Sequence, residues 1–221
     1  MNAIVSQFFN LEVMAQIYPI VMRGLGMTVL LCTAVIPLGL IGGLLVAGLM
    51  QFRSRFVRVP TALFVDLMRA LPPLFLLLLV YAGLPFVGIQ LPSFATVCLA
   101  FLLNTSSYYS EVYRAGFESV GRGQWEAAHS TGLNAVQTLI YVVVPQAVRN
   151  VLPDLVSNTV EVVKSTSLAS VVALPELLYA ADTARAVTQN SSPMVLAAAI
   201  YLFLLWPAVR LVSRLEHRVA H

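Results

Sequence analysis

An all-α integral membrane fold, with five transmembrane helices and a short cytoplasmic helix between the third and the fourth, is what this sequence predicts. Three observations predict it. The chain of 221 residues is 59% hydrophobic and 10% charged, with a mean hydropathy of +0.84, a composition suited to a bilayer and not to a water-soluble core. Five runs, approximately 20–50, 60–84, 93–115, 150–174 and 194–213, each supply the roughly 20 mostly apolar residues needed to cross about 30 Å of hydrocarbon. The arginines collect in alternate links between those runs. Residues 1–221 therefore read as a single transmembrane domain.

Met1 to Ile17 carry no Lys or Arg, so the basic leader of a cleavable signal peptide is missing and the first apolar run is expected to stay as a membrane helix. That run holds Gly39, Gly43 and Ala47 at four-residue spacing, a small-residue stripe that lets a neighbouring helix come close. Arg53, Arg55 and Arg58 follow it, whereas the link from Pro85 to Ser93 is uncharged, which places the arginine loop in the cytoplasm. The same rule puts Arg114, Arg122 and Arg149 inside, leaves the Glu176 to Ser192 link with the single Arg185 outside, and returns Arg210, Arg214 and Arg218 to the inside. The N-terminus is then outside and the C-terminus inside.

The second span opens with Asp66-Leu67-Met68-Arg69-Ala70-Leu71-Pro72-Pro73. Asp66 and Arg69, three apart, are expected to pair, and the two prolines to bend or restart the helix. The third span carries Asn104-Thr105-Ser106-Ser107-Tyr108-Tyr109-Ser110-Glu111 before Arg114. Hydrocarbon offers these groups no partner, so they face protein or a solvated path; Asn104 and Tyr108 suit either helix-to-helix hydrogen bonds or solute contact. Glu111 with Arg114 and Glu118 with Arg122 have the spacing of ion pairs.

In the fourth span Asp154, Asn158, Glu161 and Ser165 form one stripe at 3.6 residues per turn, with Lys164 three residues from Glu161. Ionisable groups at membrane depth are confined to interiors and water-filled cavities, so this helix lines a pathway or a subunit interface. An ion pair that fixes helix register and direct solute contact are both open readings. The fifth span is apolar up to its arginine-rich end, as a lipid-facing or scaffold helix is. Cys32 and Cys98, inside apolar runs, read as buried free thiols.

Between the third and fourth spans lies a polar island, Gly123-Gln124-Trp125-Glu126-Ala127-Ala128-His129-Ser130-Thr131-Gly132, followed by Val142-Val143-Val144-Pro145. Glu126 to Thr131 make about one and a half helical turns, and Gly132 ends them in a conformation that resists a Cβ. Ala127 and Ala128 leave one side nearly bare for a groove on another protein, and Pro145 is expected to stop one element before the next. As a pattern this is E-A-A-x3-G-x9-V-x-V-P, and it closely resembles the cytoplasmic loop of permease subunits of ABC importers, with Val142 and Val144 where that family usually has Ile and Leu. Asp66, Arg69 and Pro72, then Asn104, Tyr108 and Glu111-x-x-Arg114, then Lys164-Ser165-Thr166-Ser167-Leu168 and Glu176-Leu177, resemble the polar-amino-acid permeases of that class. Ala70 and Leu71 stand where those usually have Gly and Thr. The likeness runs from about Gly24 to Arg214.

The resemblance implies two permease subunits, identical or homologous, above two ATPase subunits that bind ATP and Mg, with an extracytoplasmic solute-binding protein delivering an amino acid, all in a bacterial cell (inner) membrane. A coupling helix over about 123–133 would dock in the ATPase through Gly123, Gln124, Glu126, Ala127, Ala128 and Gly132, with Pro145 closing the motif. Arg69, Asn104, Ser107, Tyr108, Asn158, Glu161, Lys164 and Ser165 are the candidate translocation-path residues, in a membrane-lipid setting. Read from the residues alone, the chain has no phosphate-cradling loop, since its only lysine, Lys164, follows Val163 and not a glycine. His129, His217 and His221 lack metal-site or triad spacing, so no metal, no cofactor of its own and no catalysis are expected. The basic residues are not gathered on one face with interleaved aromatics, which argues against nucleic acid. The competing readings are an ion-coupled secondary transporter or channel, a non-transporting scaffold, and a permease for opines or other small zwitterions.

Overall fold

The computed structural model describes residues 2–219, and among them all regular structure is helical. Helix α1 (Asn2–Phe8) leads into α2 (Leu11–Met50), which Asn10 caps by accepting the Glu12 and Val13 amides at 3.0 and 3.2 Å. The 40 residues of α2 extend about 60 Å, twice the hydrocarbon thickness. Its first turns therefore lie beyond the run expected to begin at 20; Val13 and Ile17 there pack toward α9 and α10, while most of the neighbouring side chains are exposed.

The span expected over 60–84 is not one helix. Leu71 is extended (φ −83°, ψ 130°), as the residue before a proline tends to be, and the chain turns there by 107° between α3 (Arg55–Ala70) and α4 (Pro73–Phe86). The 14 residues of α4 cover only about 21 Å. Beyond it come α5 (Ser93–Glu118), α6 (Arg122–Ser130) and α7 (Ala135–Thr138). A π-helical turn (Leu139–Val143) then runs into α8 (Val144–Ser165), a 3₁₀ turn (Thr166–Val172), α9 (Leu177–Thr188) and α10 (Ser192–Val219).

Ala3–Met50, Ala135–Val172 and Ser192–Arg214 are each long and apolar enough to cross a membrane, and the bent α3–α4 pair makes a fourth crossing if counted as one broken span. Helix α5 has the length but too much polarity to count among them. Its polar residues are covered by protein instead: Thr105, Ser106, Ser107, Tyr109 and Ser110 are all buried. Most of their hydroxyls turn back onto carbonyls three or four residues earlier in the same helix, as Thr105 does to Phe101 at 2.7 Å and Ser110 to Ser107 at 2.7 Å.

Helix α5 is the axis of the bundle, and the small-residue stripe of α2 lies against it. A Cβ on Gly39 would come within 2.4 Å of Thr105 Oγ1, and one on Gly43 within 2.5 Å of Tyr109 Cβ, so only glycine permits this approach. Leu31 and Val35 of α2, Leu77 of α4, Val97 and Phe101 of α5, and Val162 of α8 fill the adjoining core. A second core joins Ile17 and Val21 of α2 to Leu177, Ala181 and Ala184 of α9 and Ala197 of α10.

Helix α9 lies in the stretch expected to be a plain external link. Leu177, Ala180, Ala181 and Ala184 recur at helical spacing and are buried, and a Cβ on Gly24 would meet Ala180 Cβ at 2.7 Å. Glu176 begins this helix from a fully buried position, accepting the Leu178 and Tyr179 amides, each at 2.8 Å, and the Tyr201 hydroxyl at 3.2 Å. The sequence contained the signal, an acidic N-cap before an alanine-rich periodic run.

Candidate functional site

Two places gather the residues singled out above. The first is a knob formed by α6 and the turn after it. Gly132 has φ +86°, its amide bonds His129 O at 3.0 Å, and the Leu133 amide reaches Ala128 O at 3.3 Å; these are the paired bonds of a Schellman ending. Asn134 and Gln137 then exchange side-chain-to-backbone bonds of 2.9 and 3.0 Å and start α7.

Trp125 fixes the knob to the bundle. It packs with Phe117 and Val120 at the end of α5 and with Val143 and Ala147 at the start of α8. Gln146 donates to Gln124 Oε1 at 3.3 Å, tying α8 to α6, and Asn150 to Ser119 Oγ at 2.8 Å, tying α8 to the end of α5. His129 Nδ1 lies 3.1 Å from Thr138 Oγ1. Gly123, Gln124, Glu126 and Ala127 are exposed.

Two details differ from the sequence reading. Ala128 is buried within the chain, so the alanine pair splits: Ala128 faces inward, and Ala127 alone of the two is exposed. Pro145 stops nothing. The helical path runs from Ala135 to Val172, because the π turn, closed by the Val144 amide on Leu139 O, carries the chain into the first turn of α8, a position where a proline is tolerated.

The second place is a cleft of about 220 Å³ between the start of α4, the middle of α5 and the second half of α8. Asn104, Tyr108, Asn158, Glu161 and Ser165 line it, together with Pro73, Phe101, Thr105, Tyr109 and Val162, which were not among the candidate path residues. The signal for several was present: Phe101, Asn104, Thr105 and Tyr108 recur at i, i+3, i+4 and i+7, one face of a helix. Pro73 enters only through the bend before α4. Asn104 Nδ2 donates to Met68 O at 3.2 Å and the Tyr108 hydroxyl to Arg69 O at 3.4 Å, so both also latch the end of α3 onto α5. Tyr109 and Thr159 share a 2.8 Å bond that ties α5 to α8.

Arg69 pairs with Glu111 at 3.3 Å and sits 5.7 Å from the centroid of the Tyr108 ring; no ion pair joins it to Asp66 among the described residues. The end of α3 crosses α5, and the carboxylate and aromatic ring offered there displace the partner three residues away in sequence. Arg114 holds both Glu111 (2.7 Å) and Glu118 (2.8 Å), so the expected pairing of Glu118 with Arg122 is replaced. Lys164 pairs with Glu161 at the cleft edge. Ser107 lies outside the cleft, fully buried and donating to Asn104 O at 2.6 Å. Asp154, at the far end of the α8 stripe, is exposed and also lies outside it. No cluster of three or more metal-binding side chains occurs among the described residues.

Against known proteins, the family model described as binding-protein-dependent transport system inner membrane component matches residues 36–221. The chain is 32% identical over 214 residues to the probable amino-acid ABC transporter permease protein YckA of Bacillus subtilis, covering 96% of this chain and 95% of the relative. It is 30% identical over 200 residues to the L-cystine transport system permease protein TcyB of Bacillus subtilis, covering 90% and 85%. A crystal structure of an amino acid ABC transporter with histidines superposes with a TM-score of 0.86 at 32% identity over 93% of this chain and 96% of that one. The MetNI methionine ABC transporter, at 15% identity and a TM-score of 0.74 over 90% of this chain and 96% of that one, shares the fold. A helical bundle with this knob, this cleft and these relatives belongs to the family of binding-protein-dependent transport system inner membrane components: the chain is a multi-pass ABC transporter permease.

Proposed function

We infer that this permease supplies half of the translocation path of an ATP-driven amino-acid importer and is driven through the knob on α6. The observation that carries this reading is the mounting of that knob: Glu126 and Ala127 face outward, while Trp125 ties them to the ends of α5 and α8. Those two helices line the cleft. A push on Glu126 and Ala127 thus reaches the solute path through packed side chains and no flexible linker.

On this reading two ATPase subunits carry ATP and Mg, and their closure moves α6 of each of two permeases, identical or homologous. Five crossings, with the N-terminus outside and the C-terminus inside, put α6 on the ATPase side; an extracytoplasmic binding protein supplies the solute. The names of the relatives support an amino acid as that solute. The cleft offers amide, hydroxyl and phenol groups beside the opposed charges of Glu161 and Lys164, a set that suits a small zwitterion.

The test is reconstitution of the permease with its ATPase in liposomes. Glu126→Lys is expected to abolish ATPase co-purification and ATP-dependent amino-acid uptake together, with the permease still folded. Undiminished uptake by that variant, or uptake driven by an ion gradient with no ATPase present, would overturn the reading.

A further inference from the structure

Helix α10 is mostly uncovered by the rest of the chain, and one of its faces is used by neither the knob nor the cleft. Ile200, Phe203, Pro207, Arg210 and Arg214 recur along it at alternating three- and four-residue steps, which puts them on one stripe. At the upper end Ile200 and Phe203 form a shallow groove with Met22 and Leu25 of α2, a groove with apolar side chains only, in which Phe203 is 86% exposed. At the lower end Trp206, Pro207, Arg210 and Arg214 surround an open concavity, with the Arg210 guanidinium 5.5 Å from the centroid of the Trp206 ring. Neither arginine is in an ion pair among the described residues.

We propose that this stripe binds an anionic phospholipid, with an acyl chain along Ile200 and Phe203 and the phosphate between Arg210 and Arg214. Charge complementarity selects the headgroup. Two guanidinium groups one helical turn apart present planar donor forks to phosphate oxygens, and no described carboxylate competes for them. Stacking on Trp206 holds Arg210 in place before the lipid arrives, and an indole suits the boundary where hydrocarbon meets water. The groove above supplies what the tail needs, a surface without polar groups.

Other occupants fit less of the stripe. A second copy packed stripe against stripe would cover Phe203 but would set arginine against arginine, with no described carboxylate on that face to pair with them. Free phosphate would satisfy the arginines and leave the apolar groove unused.

The test uses the full permease chain in bilayers. Trp125→Phe leaves Trp206 as the sole tryptophan of the two in the chain. Quenching of Trp206 by phosphatidylglycerol or phosphatidylcholine brominated on the acyl chains then reads which lipid touches α10. If Trp125→Phe fails to fold, the same signal is taken as the difference between the unaltered chain and Trp206→Phe. Phosphatidylglycerol is expected to quench preferentially, with Arg210→Gln and Arg214→Gln each lowering the preference about fivefold, since a basic residue at an anionic surface is worth about 1 kcal/mol. Equal quenching by the two lipids, unchanged in both variants, overturns the proposal. Loss of the preference on adding inorganic phosphate overturns it too, because a free anion then suffices. Weak quenching by both lipids, with a disulfide forming between two Phe203→Cys copies, assigns the face to a second subunit and equally overturns it.

Discussion

The knob on α6 and the cleft between α5 and α8 are carried by the same two helices, yet they are built by opposite routes. The knob is local: its shape follows from Gly132, the Asn134 and Gln137 box and the π turn before Pro145, all within a short run of sequence. The cleft is not. It takes residues from α4, α5 and α8, and long-range bonds such as Asn104 to Met68 and Tyr109 to Thr159 hold its sides. Changes at the shared axis should therefore damage both, and changes at either site should damage one function and spare the other.

The largest effect is expected at that axis. Gly43→Leu drives a side chain into Tyr109, whose Cβ lies 2.5 Å from where the new Cβ must sit, and into the Ser110 backbone at 3.1 Å. The backbone cannot yield as a flexible side-chain tip would, so the cost is expected at or above the roughly 3 kcal/mol upper end of ordinary overpacking. Detergent-solubilised protein should lose its monodisperse peak on size exclusion, and with it both ATPase association and solute binding. A variant that keeps one of the two would show that knob and cleft do not depend on a shared axis.

Next comes Trp125→Ala, which removes the anchor of the knob and leaves the cleft residues in place. Truncation of a large, half-buried aromatic is expected to cost about 2–3 kcal/mol, falling on the packing among Phe117, Val120, Val143 and Ala147. ATPase affinity and the coupling of hydrolysis to transport should fall by at least tenfold. Solute affinity, read by isothermal titration on the purified permease, should stay within about twofold. Loss of solute affinity to the same degree would mean that the cleft depends on the knob for its shape.

That asymmetry also explains what the sequence made legible. The glycine of the knob, the break at Pro72 and Pro73, the small-residue stripe of α2 and the Asn158, Glu161 and Ser165 face of α8 are short-range patterns, and spacing alone located them. Ion pairing was misread for two reasons: Arg69 left Asp66 for Glu111 on another helix, and Arg114 took Glu118 from Arg122 because α5 ends at Glu118 and Arg122 belongs to α6. No periodicity in one segment announces that α3 will cross α5. The burial of Ala128 was missed because an alanine on a polar loop gives no sign of which way it faces. Helix α9 hid because alanines buried against Gly24 are less apolar than a membrane run, although their spacing was helical.

A smaller effect is expected in the cleft itself. Asn158→Ala removes one amide from the lining and introduces no charge or bulk, so the loss should match one hydrogen bond to solute, about 1 kcal/mol or fivefold in the transport KM. ATPase co-purification should be unchanged. Glu161→Gln sharpens the point, because it also releases Lys164 from its partner; a shift in selectivity toward anionic solutes, read by competition, would place that pair in contact with cargo.

The smallest expected effect is at Gly132, and its size is informative because it isolates backbone from packing. A Cβ there would meet nothing within 4 Å, so Gly132→Ala creates no clash. What remains is the φ of +86°, outside the range an alanine adopts without strain, at a cost of about 1 kcal/mol. Asparagine tolerates left-handed backbone better than other residues with a Cβ, so Gly132→Asn should recover part of the loss, whereas Gly132→Val should deepen it. Hydrogen exchange at the Gly132 and Leu133 amides, which close the end of α6, should follow that order of Gly, Asn, Ala and Val, with ATPase coupling falling in parallel and solute affinity flat. If the unaltered chain and the three variants exchanged alike, the end of α6 would be held by packing through Trp125 and Ala128 and not by its own backbone, and the knob would be as much a product of tertiary contact as the cleft.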